Sequence, residues 1–405
     1  MRSAMPKRVL LVNKFYYPRG GDCIVVLNTE ALLRDNGVEA EVFAMEYPQN
    51  LFARYSRLFP SEVTFGGGVG NQLRALQRTL GRGDVCSLFE EVLDEYNPDI
   101  VHLHNVHSYL SPVMGELAHK RGIRVVWTLH DYKLLCPRYD CLLDGKPCEK
   151  CFTGSKLNVL THKCMKNSLP ASAVAWLEAA KWNRRRLQNS TDLFLCPSQF
   201  MADNMVASGF APERIKVLNN FIDPLKLKLY QEMGRVETRD DYYCYVGRLS
   251  HEKGVADLLE VASRLPYRLK VAGSGPLDNE LRGKYGSCGN IEFLGMLDAE
   301  AVARLLSRAR LSVVPSQWYE NNPLSVIESL CAGTPVAGAK IGGIPELIDS
   351  ENGVVFQPFD QESMASSIMK SMAREWDHDL IARQAMQRFS PENHLRVLIK
   401  DVYGF

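Results

Sequence analysis

The chain has 405 residues, of which 48 are Lys or Arg and 47 are Asp or Glu. Because positive and negative charges are nearly equal in number, the chain lacks the broad basic field of a nucleic-acid-binding protein, and we expect no nucleic-acid partner. The length predicts two domains, and a hydrophobic content of 46% predicts globular ones. No apolar run approaches the roughly 20 residues that a membrane-spanning helix needs.

The first half of the sequence predicts strands that alternate with helices. RVLLVNKFYY is predicted as a buried first strand. Because Asn13 and Lys14 interrupt its apolar run and no small-residue cleavage site follows, we expect no signal peptide and a cytoplasmic location. CIVVLNTEALLRDNG is a predicted helix, and later strands are VEAEVFAM, PDIVHLHN, IRVVWTLHD and TDLFLCPS. Continuous apolar strands between helices indicate a parallel sheet with helices on both faces.

Polar residues follow most of these strands, in FYYPRGGD, HLHN, LHD and CPS. Sites in parallel sheets lie at the carboxyl ends of strands, so these segments predict a functional edge. His102 and His104 alternate with apolar residues in VHLHN, and we expect them to project to opposite faces of their strand. On that expectation His104, nearer the strand end, faces the site, whereas His102 lies in the core.

A second strand–helix series begins near Tyr242, with strands in YYCYVGRLS, YRLKVAGSGP, NIEFLGML, ARLSVVPSQ and TPVAGAKIGG. The polar segment between the two series predicts a linker, and FSPENHLRVLIKDVYGF predicts a capped amphipathic helix. The predicted boundaries are therefore 1–222 for the first domain, 223–240 for the linker, 241–385 for the second domain and 386–405 for a C-terminal helix.

The segment VGRLSHEKG places two cations where a strand ends and a helix starts. Arg248 can bind phosphate oxygens in a bidentate manner, and Lys253 can act as a point charge, so the pair suits a diphosphate. The alternative is two solvated surface cations.

The segment WYENNPLSVIESL predicts a helix that begins near Pro323. Its first backbone N–H groups, at Leu324 and Ser325, would attract an anion such as a diphosphate. Glu328 would then accept hydrogen bonds from a ribose diol, and Glu320 would accept them from sugar hydroxyls. The alternative is a capping acid and a surface acid.

Five of the eleven cysteines fall between Cys136 and Cys164. A Cys-x2-Cys pair lies among them, and in a reducing compartment this spacing favours structural zinc over disulfides. The predicted ligands are Cys136, Cys148, Cys151 and Cys164, with Cys141 or His162 as substitutes. Five unpaired thiols in a loop, or a redox disulfide, are the alternatives.

Four motifs together resemble a known family: PRGG after the first strand, VGRLSHEKG, the Glu320-x7-Glu328 pair and GGIPELI. In this order, over essentially the whole chain, they resemble the retaining glycosyltransferases of the GT-B fold, the large family-four group. The resemblance implies an α/β chain with two Rossmann-like domains whose parallel sheets face a central cleft. It also implies sugar transfer from a nucleotide-diphosphate sugar to an acceptor hydroxyl, with retention and without a catalytic metal.

The resemblance assigns the donor to the C-terminal domain and the acceptor to the N-terminal domain, which carries a cysteine-rich insert at 136–164. It also implies that the C-terminal helix, 386–405, returns to the N-terminal domain. It makes His130, Glu320, Arg248 and Lys253 the expected catalytic residues. His104 and Asp131 are expected on the acceptor side. The remaining expected donor-binding residues are Gly20, Gly21, Gly273, Gly275, Gly295, Met296, Asn322, Leu324, Ser325 and Glu328.

The expected acceptor is a glycan or a lipid-linked glycan in the synthesis of a surface polysaccharide, lipopolysaccharide or glycolipid. Two basic segments suggest peripheral contact with the inner face of a membrane: Trp176 to Arg186, and the i, i+4, i+8 series Arg74, Arg78 and Arg82. Ordinary solvated helix faces are the alternative. Competing functions are a nucleotide-sugar epimerase and a non-catalytic scaffold that binds sugar nucleotide or zinc.

Overall fold

The computed structural model describes residues 8–66, 68–233 and 238–404. Within them the chain divides into two compact units. The described residues of the first unit are 8–66, 68–141, 148–219 and 394–404. Those of the second unit are 142–147, 220–233 and 238–393. The prediction of a two-domain α/β chain is therefore confirmed, and the change of unit falls after Asn219.

The first unit is built on a sheet of six parallel strands. These are β1 (Arg8–Val12), β2 (Glu39–Phe43), β3 (Ile100–Leu103), β4 (Arg124–Thr128), β5 (Leu193–Cys196) and β6 (Ile215–Val217). Their order is β2-β1-β3-β4-β5-β6. Every residue of β3 and β5 is buried, as expected for strands covered by helices on both faces. The order reverses direction between β1 and β3, and binding sites in such sheets lie at that point.

The helices of the first unit connect these strands and cover the sheet. They are α1 (Gly21–Asp35), α2 (Val69–Thr79), α3 (Asp84–Tyr96), α4 (Val113–Lys120), α5 (Asn158–Thr161), α6 (Leu169–Lys181), α7 (Arg184–Gln188) and α8 (Gln199–Ala207). Side-chain caps define where several of them begin. Ser168 accepts a hydrogen bond from the Ala171 N–H, and Ser198 accepts one from the Met201 N–H.

The second unit repeats this architecture with a second sheet of six parallel strands. They are β7 (Asp240–Val246), β8 (Arg268–Ala272), β9 (Ile291–Gly295), β10 (Ala309–Val314), β11 (Val336–Ala339) and β12 (Gly353–Phe356). Their order is β9-β8-β7-β10-β11-β12, so direction reverses between β7 and β10. The helices are α9 (Pro224–Met233), α10 (Val255–Ala262), α11 (Asp278–Tyr285), α12 (Ala299–Arg308), α13 (Leu324–Cys331), α14 (Gln361–Ala373) and α15 (His378–Arg388).

The segment predicted as a linker contains a helix. α9 buries Leu227 and Tyr230 in the core of the second unit. Polar residues dominate this segment, so two buried apolar residues give too weak a periodic pattern to predict a helix from the sequence. In the structure, the packing of these two residues anchors the helix. Part of the predicted linker, 234–237, lies outside the described residues.

The C-terminal segment joins the first unit, as the family resemblance implied. α16 (Pro391–Val397) leads into a π-helical turn, Leu398–Tyr403. The buried Tyr403 hydroxyl lies 2.9 Å from Nδ1 of His102, and Arg124 donates a hydrogen bond to the carbonyl of Val402. Residues 386–393 remain with the second unit, so the return begins later than the predicted position 386.

The predicted basic stripe of α2 is wrong. Arg78 is fully buried, and its guanidinium donates to both carboxylate oxygens of Asp84 at 2.8 and 2.6 Å. α2 ends at Thr79, so Arg82 lies beyond it. An internal ion pair therefore replaces a solvated cation that could contact a membrane.

The second basic segment is also partly internal. Trp182 is buried and donates its indole N–H to the Thr79 carbonyl. Arg186 donates to the carboxylate of Glu116. In the part of the chain that the structure describes, no helix is long and apolar enough to cross a membrane.

Candidate active site

In the second unit, backbone hydrogen bonds link the carboxyl ends of β7, β8 and β9. The Gly247 N–H donates to the Ala272 carbonyl at 3.0 Å, and the Gly273 N–H donates to the Gly295 carbonyl at 2.7 Å. Gly273 has φ +127°, and a Cβ there would come within 1.9 Å of the Gly247 carbonyl oxygen. Only glycine fits this position. Three predicted donor-binding residues, Gly273, Gly275 and Gly295, thus lie along these adjoining strand ends.

Lys253 and Glu320 meet across the point where the second sheet reverses direction. Lys253 follows β7 and Glu320 follows β10, and their side chains form an ion pair of 2.6 Å. Ser316 and the Trp318 indole also donate to the Glu320 carboxylate, at 2.8 and 2.9 Å. Burial raises the pKa of Glu320, but the charge of Lys253 and these hydrogen bonds outweigh it, so the net pKa is lowered. Glu320 is therefore an ionised, acceptor-only group.

The predicted helix start is confirmed one residue after Pro323. α13 begins at Leu324 with an extended Pro323 before it and no side-chain cap. The first N–H groups of a helix have no acceptor within the helix, so those of Leu324 and Ser325 suit an anion. Asn322 accepts a hydrogen bond from the Asn220 N–H at 2.8 Å. Its own Nδ2 is buried without a partner among the described residues.

Glu328 has a counterion that the sequence did not suggest. Lys226, on α9, forms an ion pair of 2.6 Å with the buried Glu328 carboxylate. Burial raises the pKa of Glu328, and the charge of Lys226 opposes this effect. Lys226 was missed because it lies in the polar segment predicted as a linker.

Two predicted donor residues are open to solvent. Arg248 is exposed, and its backbone carbonyl accepts a hydrogen bond from the Tyr245 hydroxyl at 2.7 Å. Met296 is 74% exposed. Both residues therefore lie at the surface, next to the carboxyl ends of β7 and β9, and can contact a ligand without rearrangement of the core.

In the first unit, polar groups also gather where the sheet reverses. The Asn13 carboxamide, after β1, accepts a hydrogen bond from the Asn105 N–H, after β3. Asn105 in turn donates to Asp22, in the first turn of α1. Gly20 and Gly21 form the start of this helix. The predicted polar edge is thus a connected network in the structure.

The prediction that His102 and His104 face opposite sides of their strand is wrong. Residues two apart in a strand share a face, and the two rings stack with centroids 4.2 Å apart. Nδ1 of His104 lies 2.9 Å from Nε2 of His130. His104 is 2% exposed, so the structure places it against His130 within the core. The pKa values of all three imidazoles are lowered, mainly because the rings are buried.

Other titratable groups near the strand ends of the first unit also have shifted pKa values. Burial raises the pKa of Asp131 to about 6, and the charge and N–H of Lys133 limit the rise. Asp131 also lies 3.8 Å from Nε2 of His107. Burial and the nearby Arg19 lower the pKa of Lys14 to about 8. Lys14 lies two residues after β1, and its ammonium lies 3.9 Å from the Tyr109 ring centroid, a contact that the sequence did not reveal.

The cysteine-rich insert brings three thiols into contact. Hydrogen bonding from Cys141 and Cys151 lowers the pKa of the Cys136 thiol, and all three side chains are buried. Cys148 and Cys164 are partly exposed. The described residues contain no group of three or more Cys, His, Asp or Glu side chains already arranged to hold a metal ion.

Sequence comparison now adds to this geometry. The model of "Glycosyltransferase Family 4" matches residues 20–225, about half of the chain, and that of "Glycosyl transferases group 1" matches residues 230–390. The chain belongs to glycosyltransferase family 4. Among curated family relatives, the sulfoquinovosyl transferase of Arabidopsis thaliana is 26% identical over 54% of this chain and 45% of its own length. The chain thus spans about half of that relative.

Solved structures match the family-4 chain over nearly its whole length. The lipopolysaccharide outer core galactosyltransferase WaaB has a TM-score of 0.64 at 16% identity, covering 97% of this chain and 99% of its own. HepE of Anabaena, in complex with UDP, has a TM-score of 0.62 at 18% identity, covering 98% and 100%. These likenesses confirm the GT-B class of fold, with its two Rossmann-like sheets.

Proposed function

We propose that this chain is a retaining glycosyltransferase that moves a sugar from a nucleotide-diphosphate sugar to an acceptor hydroxyl. The observation that carries the proposal is the Lys253–Glu320 ion pair across the reversal of the second sheet, beside the start of α13. A cation, an ionised acceptor and unsatisfied helix N–H groups form the set that a sugar diphosphate needs.

The diphosphate would be held by charge and dipoles. Lys253 and the exposed Arg248 supply positive charge, and the N–H groups of Leu324 and Ser325 supply hydrogen bonds. Glu328, whose carboxylate pairs with Lys226, would accept hydrogen bonds from the ribose hydroxyls. HepE, which resembles this chain in fold, was solved with UDP, and this supports a nucleotide donor here.

The transfer itself would proceed on one face of the sugar. The bond from the anomeric carbon to the leaving phosphate oxygen breaks while the acceptor oxygen bonds to the same carbon. The acceptor proton passes to the leaving phosphate, so no separate base is required. Positive charge from Lys253 and Arg248 stabilises the negative charge that develops on the diphosphate. Glu320 orients the sugar through its hydroxyls.

The first unit would supply the acceptor side. His130 is partly exposed at the end of β4, and Asp131 follows it. Hydrogen-bonding groups of this kind suit the hydroxyls of a glycan or of a lipid-linked glycan. Direct acceptor contact by His104, and contact of the protein with a membrane, stay predictions from the sequence.

We also propose that the cysteine-rich insert binds structural zinc through Cys136, Cys148, Cys151 and Cys164. The Cys-x2-Cys spacing and the buried contact of the Cys151 thiol with Cys136 support it. The partly exposed Cys148 and Cys164 would have to turn inward. Zinc would then fix the loop after β4, without a part in the transfer.

Donor binding is the direct test of the proposed function. Thermal unfolding of the full chain should be followed with UDP-, GDP-, ADP- and dTDP-linked sugars. One donor class should raise the melting temperature, since a ligand that binds only the folded state stabilises it. That donor should then release free nucleoside diphosphate only when an acceptor glycan is added. Release without acceptor would support the epimerase, and no binding by any donor would contradict the proposal.

A further inference from the structure

Two buried histidines stand in line with the expected active-site histidine. Nδ1 of His104 lies 2.9 Å from Nε2 of His130, and the two rings lie nearly parallel, 18° apart. On its other side His104 stacks on His102. Both nitrogens of His102 are already engaged, with the hydroxyls of Tyr403 and Thr128 at 2.9 and 2.8 Å. His102 therefore fixes the position of His104 without competing for its nitrogens.

One hydrogen lies between the two nitrogens that face each other, and two arrangements can place it. In the first, Nδ1–H of His104 donates to Nε2 of His130. A neutral His130 then carries its own proton on Nδ1. In the second, Nε2–H of His130 donates to Nδ1 of His104. A neutral His104 must then carry its proton on Nε2, and Nδ1 of His130 becomes a lone pair.

Burial of His104 decides between these arrangements. Nε2 of His104 is buried and has no hydrogen-bond partner among the described residues. The second arrangement would leave an N–H at this atom without an acceptor, whereas the first leaves only a lone pair without a donor. Buried N–H groups without a partner are the rarer and more costly defect. The first arrangement is thus favoured. Burial lowers the pKa of both imidazoles, so both rings are neutral near pH 7.

We propose that His104 is a positioning residue that holds His130 in its Nδ1–H tautomer. The partly exposed His130 then presents a hydrogen-bond donor to the ligand, since its Nδ1 has no partner among the described residues. A donor at this atom binds a hydroxyl oxygen of the sugar or acceptor, whereas a lone pair would act as a base. The catalytic consequence rests on the proposed function, but the tautomer itself does not.

The tautomer can be read directly by NMR. The full chain labelled with 15N-histidine should be recorded near neutral pH in long-range proton–nitrogen spectra, which distinguish a protonated from an unprotonated Nδ1. His130 should show a protonated Nδ1 in the wild type. The signal is assigned by its loss in His130→Asn. A protonated Nε2 on His130 would overturn the proposal, whether or not the protein shows transferase activity.

Two variants of His104 test its role. His104→Phe keeps a ring but removes the donor that holds the His130 ring with Nε2 inward. The partly exposed His130 can then turn, and the Nε2–H form that an unconstrained neutral histidine favours should appear. His104→Asn places an amide N–H near the position of Nδ1 and should keep the Nδ1–H form. With the donor found above, kcat should fall about 10- to 100-fold in His104→Phe, with KM changed less than about threefold, because positioning rather than binding is lost. His104→Asn should recover most of kcat.

Tyr403→Phe is the matched control. It removes the hydrogen bond to His102 but leaves the His104–His130 bond intact, so the His130 tautomer should not change. An unchanged tautomer in a folded His104→Phe protein would contradict the positioning role. If His104→Phe fails to fold, the wild-type and His104→Asn spectra still decide the tautomer. If the tautomer is as expected but no donor is turned over, the proposed function fails and the tautomer assignment stands.

Discussion

The two units present different kinds of chemistry at equivalent places in their sheets. In the second unit, each of the two candidate donor-site carboxylates has a lysine counterion, Lys253 for Glu320 and Lys226 for Glu328, both at 2.6 Å. In the first unit, the centre is a pair of imidazoles whose pKa values burial lowers. The contrast supports our proposal that the second unit holds the charged donor and that the first unit orients neutral hydroxyls.

The largest expected effect comes from removing a charge in the second unit. Lys253→Ala should lower kcat/KM by about 100- to 1000-fold, because the leaving diphosphate loses a preorganised cation. Steady-state kinetics with the identified donor measure this loss. Lys284→Ala is the matched control, since Lys284 pairs with Glu260 on the exposed surface. If both variants kept kcat/KM within threefold of the wild type, the assignment of charge to the second unit would be wrong.

A double-mutant cycle sharpens the contrast further. Lys226→Ala and Glu328→Ala should show a coupling of about 1–3 kcal/mol in the free energy of unfolding, because the pair is largely buried. The pair Lys228–Glu232 lies on the same helix but is exposed, so its coupling should be at most about 0.5 kcal/mol. Denaturant unfolding measures both. Equal couplings would show that burial of Glu328 adds nothing.

Asp131 gives a smaller effect that depends on pH. Its pKa in the folded state is about 6, above the ordinary 3.8, so the folded state holds the proton more tightly. This contribution to stability is complete below pH 3.8 and is lost as pH rises through 6. The free energy of unfolding of the wild type should therefore fall relative to that of Asp131→Asn as pH rises from 4 to 7, by up to about 3 kcal/mol. A difference that is constant over this range would contradict the raised pKa of Asp131.

The smallest effect is expected in the cysteine-rich insert. The protein purified under reducing conditions without chelator should contain about one zinc ion per chain. Removing the zinc should lower the melting temperature while leaving donor binding to the second unit unchanged. Cys288→Ser, in the second unit, is the control and should retain the zinc. A preparation with no zinc would reject the site and leave the thiols of Cys136, Cys141 and Cys151 as a hydrogen-bonded cluster.

Much of the fold follows from local patterns. Apolar strands between helices predicted both parallel sheets, because strands buried on both faces have few other arrangements. The helix α9 was missed, since two buried anchors, Leu227 and Tyr230, are too few for a periodic signal. The wrong basic stripe has a similar cause: Asp84, which pairs with Arg78, lies outside α2. A helical wheel cannot include a partner beyond the helix.

The candidate site divides in the same way. The sequence predicted Lys253, Glu320 and the start of α13, because each follows a strand or opens a helix. It did not predict Lys226 as the partner of Glu328, which is 102 positions away. For His102 and His104, the expectation of opposite faces failed on simple strand geometry, and their stacking was available from the two-residue spacing.

The sequence by itself determined that two parallel sheets form and which polar residues end their strands, because burial patterns and chain order are local properties. Only the tertiary structure decided which of these residues meet. Lys253 reaches Glu320 because β7 and β10 are neighbours at the reversal of the second sheet. His104 reaches His130 because β3 and β4 are adjacent. Strand order sets these contacts, and it depends on packing of the whole unit rather than on any one segment.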